Sequence, residues 1–111
     1  MTPRLTRKLV LESPVRSPDG AGGFVESWTA EGTLWAELRL RSGRERAGGP
    51  GSVSAVSYRI TVRAAPEGAA SRPRADQRFR DGARLFRILA VADAFADGRY
   101  LTCFAQEEVS Q

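Results

Sequence analysis

Histidine is absent from this chain of 111 residues, and cysteine occurs only once. The absence of histidine removes the commonest general base at neutral pH, and no Ser-His-Asp or Cys-His arrangement can form within one chain. A single thiol without histidine can form neither an internal disulfide nor a zinc site. We therefore expect no enzyme, metal or cofactor, with a carboxylate-based enzyme as the open alternative. Cys103 is predicted to be a small core residue.

Long hydrophobic runs are also missing. No apolar stretch approaches the ~20 residues that a membrane span requires, and the N-terminus lacks the apolar core of a signal peptide. We expect synthesis in the cytoplasm and no membrane partner. A hydrophobic content of 41% in 111 residues predicts one folded domain over residues 1–111.

Lysine is nearly absent too, because sixteen of the seventeen basic residues are arginine, and the net charge is +4. Residues 39–46 hold four Arg and one Glu, residues 59–87 hold eight Arg and three acids, and residues 93–111 hold four acids and one Arg. A basic middle and an acidic end suit head-to-tail contact between subunits or contact with nucleic acid. A solvated charged surface is the remaining alternative.

The clearest local signal is an Asp-Gly corner, Asp81-Gly82, followed by an apolar run to Val91. Asp-Gly tolerates the positive φ of tight hairpin turns, so the run is predicted to be a strand that reverses direction at this corner. Strand alternation places Phe86, Ile88 and Ala90 on one face, and Leu85, Leu89 and Val91 on the other. A strand that is apolar on both faces has to be covered by other protein on each face, either in a barrel or in an assembly.

Hairpin-spaced strands account for most of the chain. A bulge or bend is predicted at Ala30-Glu31-Gly32, and a second Asp-Gly corner lies at Asp97-Gly98. The predicted strands cover residues 5–15, 24–29, 33–41, 53–64, 85–91 and 99–104, and the final meander begins at Phe79. With no convincing amphipathic helix, this indicates an all-β fold, a small antiparallel β-barrel or sandwich of about six strands with a long Gly-rich loop.

That loop, Ser42 to Ser52, contains four Gly and one Pro within eleven residues. It can hold neither a stable helix nor a strand, and long irregular loops in compact domains are usually functional or disordered. It also carries Arg44 and Arg46. Gly48 and Gly49 are predicted to form a turn rather than a phosphate cradle, because the Lys-Ser/Thr ending of a P-loop is missing.

An aromatic residue, Trp35, shares a predicted strand face with Arg39 and Arg41. Such a face could stack single-stranded bases and contact phosphates, with Arg59 on the next strand. Packing at an interface and a solvated rim explain the same residues.

The order of these segments resembles the head-closure proteins, or stoppers, of long-tailed phages and gene transfer agents. The resemblance covers about 100 residues. It is carried by a basic first strand, a Gly-rich hairpin with a following Trp, a Leu-Trp-Ala-Glu-Leu strand, a Ser-Gly-x-Glu segment, a Tyr-Arg-Ile-Thr-Val-Arg strand and the final meander. These segments are residues 5–11, 18–28, 34–38, 42–45, 58–63 and 81–91.

The resemblance implies a small β-barrel that forms a homo-oligomeric ring in the virion, with a hexamer favoured and a dodecamer possible. The ring would lie below the portal and adaptor, contact a tail terminator or tail tube, and surround packaged double-stranded DNA. In the family, the loop after the Ser-Gly-x-Glu segment projects toward the channel, which here is Ser42 to Ser52. This chain departs from relatives that carry helix-forming residues there.

Two sets of site residues follow. The channel or DNA-facing set is predicted to be Arg39, Arg41, Arg44, Arg46, Gly48 and Gly49. The subunit interface is predicted to use Trp35, Arg59, Arg63, Glu107 and Glu108.

Overall fold

The computed structural model describes residues 2–41 and 56–108, and these residues form β-strands joined by turns and loops. Strands begin where β-branched, aromatic and aliphatic residues alternate with polar ones, and they end at segments rich in Gly, Pro and Asp. The strands are β1 (Arg7–Pro18), β2 (Phe24–Leu40), β3 (Val56–Arg63), β4 (Arg78–Asp81), β5 (Arg84–Asp93) and β6 (Tyr100–Glu108).

All neighbouring strands are antiparallel, in the order β1-β2-β3-β6-β5-β4. The sheet closes into a barrel because β4 also pairs with β1. The fold class predicted from the sequence is confirmed. Closure leaves no unpaired strand edge around the barrel, so any further contact has to use its outer faces, its ends or its projecting hairpins.

The barrel interior is filled by side chains from every strand, as expected when alternate residues point inward. The rings of Tyr58 and Phe86 pack edge to face, with 5.2 Å between their centroids. Cys103 is fully buried, which confirms its predicted place in the core. The buried apolar residues are Leu9, Leu11, Ala36, Ile60, Val62, Phe79, Phe86, Ile88, Leu101, Cys103 and Ala105.

A β-bulge in β5 changes the predicted faces of that strand. The register with β6 shifts between Ile88 and Ala90. The bulge moves the alternation by one residue, so Val91 packs against the core and Ala90 is exposed. The prediction that Ala90 shares the inner face of Phe86 and Ile88, with Val91 opposite, is therefore wrong.

A second bulge lies at the predicted interruption of β2. Leu11 pairs with Gly32 and Glu12 with Ala30, which leaves Glu31 as the extra residue. Gly32 has φ +152°, a backbone conformation that favours glycine. The bulge bends β1 and β2 together at the point where their shared hairpin leaves the barrel.

Beyond this bend the β1–β2 hairpin continues as a two-stranded projection, here called the arm (residues 14–28). β4 pairs with β1 only from Val10 to Glu12, so the arm has no third strand. Its pairing runs from Pro14 opposite Trp28 to Pro18 opposite Phe24. The predicted end of the first strand at Val15 is therefore wrong, because β1 continues to Pro18. Pro14 and Pro18 are tolerated there because no third strand needs their missing N–H groups.

The predicted Asp81-Gly82 corner is a two-residue turn between β4 and β5, with Asp81 opposite Arg84. Gly82 has φ +61°, whereas Ala83 does not have positive φ, the pattern of a type II′ turn. The turn chemistry predicted from the sequence is confirmed.

We expect Gly82→Ala to lower the free energy of unfolding by about 1–2 kcal/mol, because only glycine adopts this φ without strain. A Cβ added at Gly82 would meet no other atom within 4 Å, so the strain is in the backbone alone. Chemical denaturation of the variant checks this. Gly82→Asn is the matched comparison, because Asn tolerates positive φ better than Ala does. An Ala variant as stable as the wild type would contradict the assignment.

The barrel is closed by an ionic seam between β1 and β4. The Glu12 side chain is 8% exposed, and its Oε1 and Oε2 accept hydrogen bonds from Arg78 Nε at 2.7 Å and Arg80 Nε at 2.8 Å. The Arg78 guanidinium in turn lies 4.0 Å from the centroid of the Trp28 ring. The seam therefore ties together the short strand β4, the strand β1 and the base of the arm.

Candidate assembly surface

Arginines line up on the outer face of β2 and β3, and this basic face is defined by Arg39, Arg41, Arg59 and Arg63. Inward-pointing Leu38 and Ile60 alternate with them, so the arginines must point outward. Arg39 lies directly opposite Arg59 in the β2–β3 register. All four side chains are exposed.

Little in the described part of the chain neutralises this face. Glu37 Oε1 accepts a hydrogen bond from Arg39 Nε at 3.1 Å, while Arg41, Arg59 and Arg63 make no ion pair within residues 2–41 and 56–108. Arg41 instead lies 5.2 Å from the ring centroid of Phe104. Like charges opposite each other on neighbouring strands are destabilising, so the face suits an anionic partner.

Two shallow hollows open on this surface. The first, here called the groove, has a volume of about 190 Å³. It is lined by Pro3, Glu37, Arg39, Arg59, Thr61, Ala94, Phe95 and Thr102. The second, about 370 Å³, is lined by Arg39, Leu40, Arg41 and Arg59. The groove combines an apolar side at Ala94 and Phe95 with a basic side at Arg39 and Arg59. It could therefore accept one apolar and one acidic side chain.

The structure brings together only some of the residues predicted for the two sites. Arg39 and Arg41, predicted to face DNA, lie on one face with Arg59 and Arg63, predicted to face a neighbouring subunit. Trp35 is 54% exposed and lies on the same outer side of β2. One surface therefore holds members of both sets, and it could meet DNA or protein.

The predicted acidic interface residues lie elsewhere. Glu107 is paired with Val56 and Phe86 near the end of β6. Its Oε1 and Oε2 accept hydrogen bonds from Arg84 at 3.0 and 2.8 Å, and these bonds lower the pKa of Glu107 despite its partial burial. The Glu107 carboxylate is thus engaged within its own chain. Glu108 is exposed.

Four predicted residues, Arg44, Arg46, Gly48 and Gly49, lie outside the described residues. The described ends of their segment are close together, because Arg41 N donates to Ser57 O at 3.0 Å. Arg41 and Ser57, which flank this segment in the described part of the chain, are therefore hydrogen-bonded neighbours at one end of β2 and β3.

Sequence reasoning missed the exposed apolar surface of the arm. Phe24 is 61% exposed, Val25 is 55% exposed and Val15 is 38% exposed. In the sequence these residues look like part of a half-buried strand. They are surface residues because no third strand covers the arm.

Catalytic and metal-binding features are not apparent in the residues that the structure describes. No group of three or more His, Cys, Asp or Glu residues in that part could hold a metal ion. Burial raises the pKa of the Cys103 thiol to about 12, which keeps it protonated and unreactive at neutral pH. No helix within the described ranges is long and apolar enough to cross a membrane.

Comparison with known proteins identifies the family of the chain. The family described as phage head completion protein matches residues 1–108. A chain in the solved structure of the virion of a native gene transfer agent particle is 57% identical, with a TM-score of 0.85, and the match covers 99% of this chain and 100% of that one. No curated protein matches. The resemblance to head-closure proteins is confirmed, and the chain belongs to the phage head completion protein family, whose members are structural components of the virion.

Proposed function

We propose that this protein is a stopper subunit of a phage-like particle. Its copies form a ring below the portal and adaptor, retain the packaged DNA, and offer a docking surface to the tail. The observation that carries the proposal is the family match over residues 1–108, together with 57% identity to a chain of a gene transfer agent virion.

The surface of the barrel supports a role in assembly. The closed barrel satisfies its own strand edges, yet it exposes Phe24, Val25, Trp35, Leu40 and Leu89. Single exposed apolar side chains are normal, but Val15, Phe24 and Val25 all lie on the arm, which no third strand covers. This exposure supports a role as a subunit of an assembly.

The basic face supports contact with the DNA that passes through the ring. The segment from Ser42 to Ser52 starts beside Arg41 and would add Arg44 and Arg46 to the same positive region. Phosphate contact of this kind is independent of sequence, as passage of a whole genome requires. We place this segment near the lumen. A ring of six subunits is favoured, and the tail side would meet a tail terminator or tail tube.

Deletion of this chain in the producing strain tests the proposal. We expect electron microscopy to show separated tails beside heads, and nuclease treatment to remove DNA from heads that have filled and then leaked. The strain carrying the wild-type chain on a plasmid is the control. Tailed particles that keep their DNA after deletion would contradict the proposal.

A second candidate, a small barrel that binds single-stranded nucleic acid, is favoured by the exposure of Trp35 on the side of Arg39, Arg41 and Arg59. A dedicated binder should hold an oligonucleotide far more tightly than the roughly 10⁻⁴–10⁻⁶ M of nonspecific contact at physiological salt. Titration of a fluorescent oligonucleotide against the purified protein distinguishes the two. Tight binding that weakens on Trp35→Ala would favour the second candidate.

A further inference from the structure

We propose that the arm of one copy docks into the groove of the next copy, in a head-to-tail contact between identical chains. This inference rests on the proposed function, because it names the surfaces by which the ring would be built. It assigns Phe24 and Glu26 of the arm to the apolar and basic sides of the groove.

The arm is expected to be stabilised by contact with a partner. A two-stranded hairpin alone is only marginally stable in water, and this one has no third strand beyond Glu12. Hydrogen bonds nevertheless constrain its tip, where Asp19 Oδ1 accepts from Ala21 N at 2.7 Å and Gly23 N at 3.0 Å. A constrained tip that exposes Phe24 would lose less entropy on docking than an unconstrained one.

Two side chains on one face of the arm match the groove. Phe24 and Glu26 are two residues apart on β2, so they point the same way. The Arg16 guanidinium lies 4.8 Å from the Phe24 ring centroid and holds the ring in place. Glu26 lies opposite Arg16 in the β1–β2 register, but it is exposed and makes no ion pair within the described residues. The arm thus presents an aromatic ring and a carboxylate side by side, with Arg16 next to both.

The groove presents the complementary pair. Ala94 and Phe95 offer an apolar wall, and Arg39 and Arg59 offer two opposed positive charges, of which Arg39 is already paired with Glu37. Arg59 makes no ion pair within the described residues, so it is the guanidinium with which a carboxylate from the arm would pair. An aromatic anchor beside a desolvated charge pair is the usual composition of an interface hot spot.

The arm cannot reach the groove of its own chain. Glu26 and Arg39 are thirteen residues apart on the same strand, which is roughly 40 Å at about 3.3 Å per residue. The contact must therefore join two copies. Because it uses two different patches, it is heterologous, and its repetition closes a ring or extends a filament.

Charge exchange across this contact is the first test. In the deletion strain complemented with variants, we expect Glu26→Arg alone and Arg59→Glu alone each to reduce tailed, DNA-containing particles about tenfold. The double variant is expected to recover to within about twofold of the wild type, because the pair is restored with reversed sign. Glu67→Arg, an exposed reversal in the β3–β4 connection, is the matched control. Failure of the double variant to recover would overturn the contact.

Cross-linking of particles keeps the inference testable apart from assembly yield. With Glu26→Cys and Arg59→Cys in one chain, a short bismaleimide is expected to give a ladder of multimers on denaturing gels, and either single variant should give none. Buried Cys103 stays unreacted. Particles that contain the double variant and keep their tails but give no ladder would overturn the arm-to-groove contact and leave the proposed function intact. Absence of the chain from purified particles would overturn the proposed function itself.

Discussion

Phe86→Ala is expected to lower the free energy of unfolding by about 3–5 kcal/mol. Phe86 is fully buried in the barrel core, with its ring against Tyr58 and the Arg84 guanidinium 5.0 Å from its centroid. Alanine would leave a cavity that a closed six-stranded barrel cannot collapse to fill. Because a domain of this size is stable by only about 5–15 kcal/mol, much of its stability would be lost. Urea denaturation followed by tryptophan fluorescence measures the change.

The matched control is Phe24→Ala, the same substitution at a side chain that is 61% exposed. We expect its stability in isolation to stay within about 0.5 kcal/mol of the wild type. Phe86→Ala should therefore lose much of its stability, whereas Phe24→Ala should keep its stability while assembly is impaired. Equal loss of stability in both would contradict the assignment of the core.

Glu12→Gln is expected to cost about 2–3 kcal/mol at pH 7. The amide offers one acceptor oxygen where the carboxylate serves both Arg78 and Arg80, and its NH₂ group would face a guanidinium. Removing one partner of a fully buried ion pair costs about 3–5 kcal/mol. The cost here is lower because the Arg80 side chain is 41% exposed. Glu107→Gln, at a more exposed pair, is the control and should cost about 1 kcal/mol or less.

The Glu12 effect should also depend on pH. Burial raises the pKa of Glu12, but the hydrogen bonds from Arg80 and Arg78 outweigh it and hold the pKa below its ordinary value of 4.5. A carboxylate with a lowered pKa in the folded state stabilises the protein fully above its unfolded pKa, and the stabilisation is lost as the pH falls through the folded pKa. The difference between wild type and Glu12→Gln should thus be full at pH 7 and shrink below about pH 4.5. A difference that grows on acidification would contradict the seam.

Local signals in the sequence were sufficient for much of the fold. The Asp81-Gly82 turn and the bulge at Ala30-Glu31-Gly32 depend on a few neighbouring residues, and both were predicted. The bulge in β5 was not, because no Gly or Pro marks the position of Leu89. Glu12 was missed because its partners lie 66 and 68 residues away, and only barrel closure brings them together.

The candidate site shows the same division. Alternation along β2 is enough to place Arg39 and Arg41 on one face. Arg59 on the next strand is also anticipated from the sequence, but its position directly opposite Arg39 depends on the register of β3. Phe24 and Val25 resemble core residues in composition, so their exposure follows from the topology alone.

Asymmetric cryo-EM reconstruction of the neck of the intact particle would locate the copies of this chain. We expect a ring of them between the portal complex and the tail, with the segment from Ser42 to Ser52 toward the DNA. Within the ring, each arm should lie in the groove of its neighbour. A neck without this chain, or copies of it only on the outer shell of the head, would overturn the proposed function.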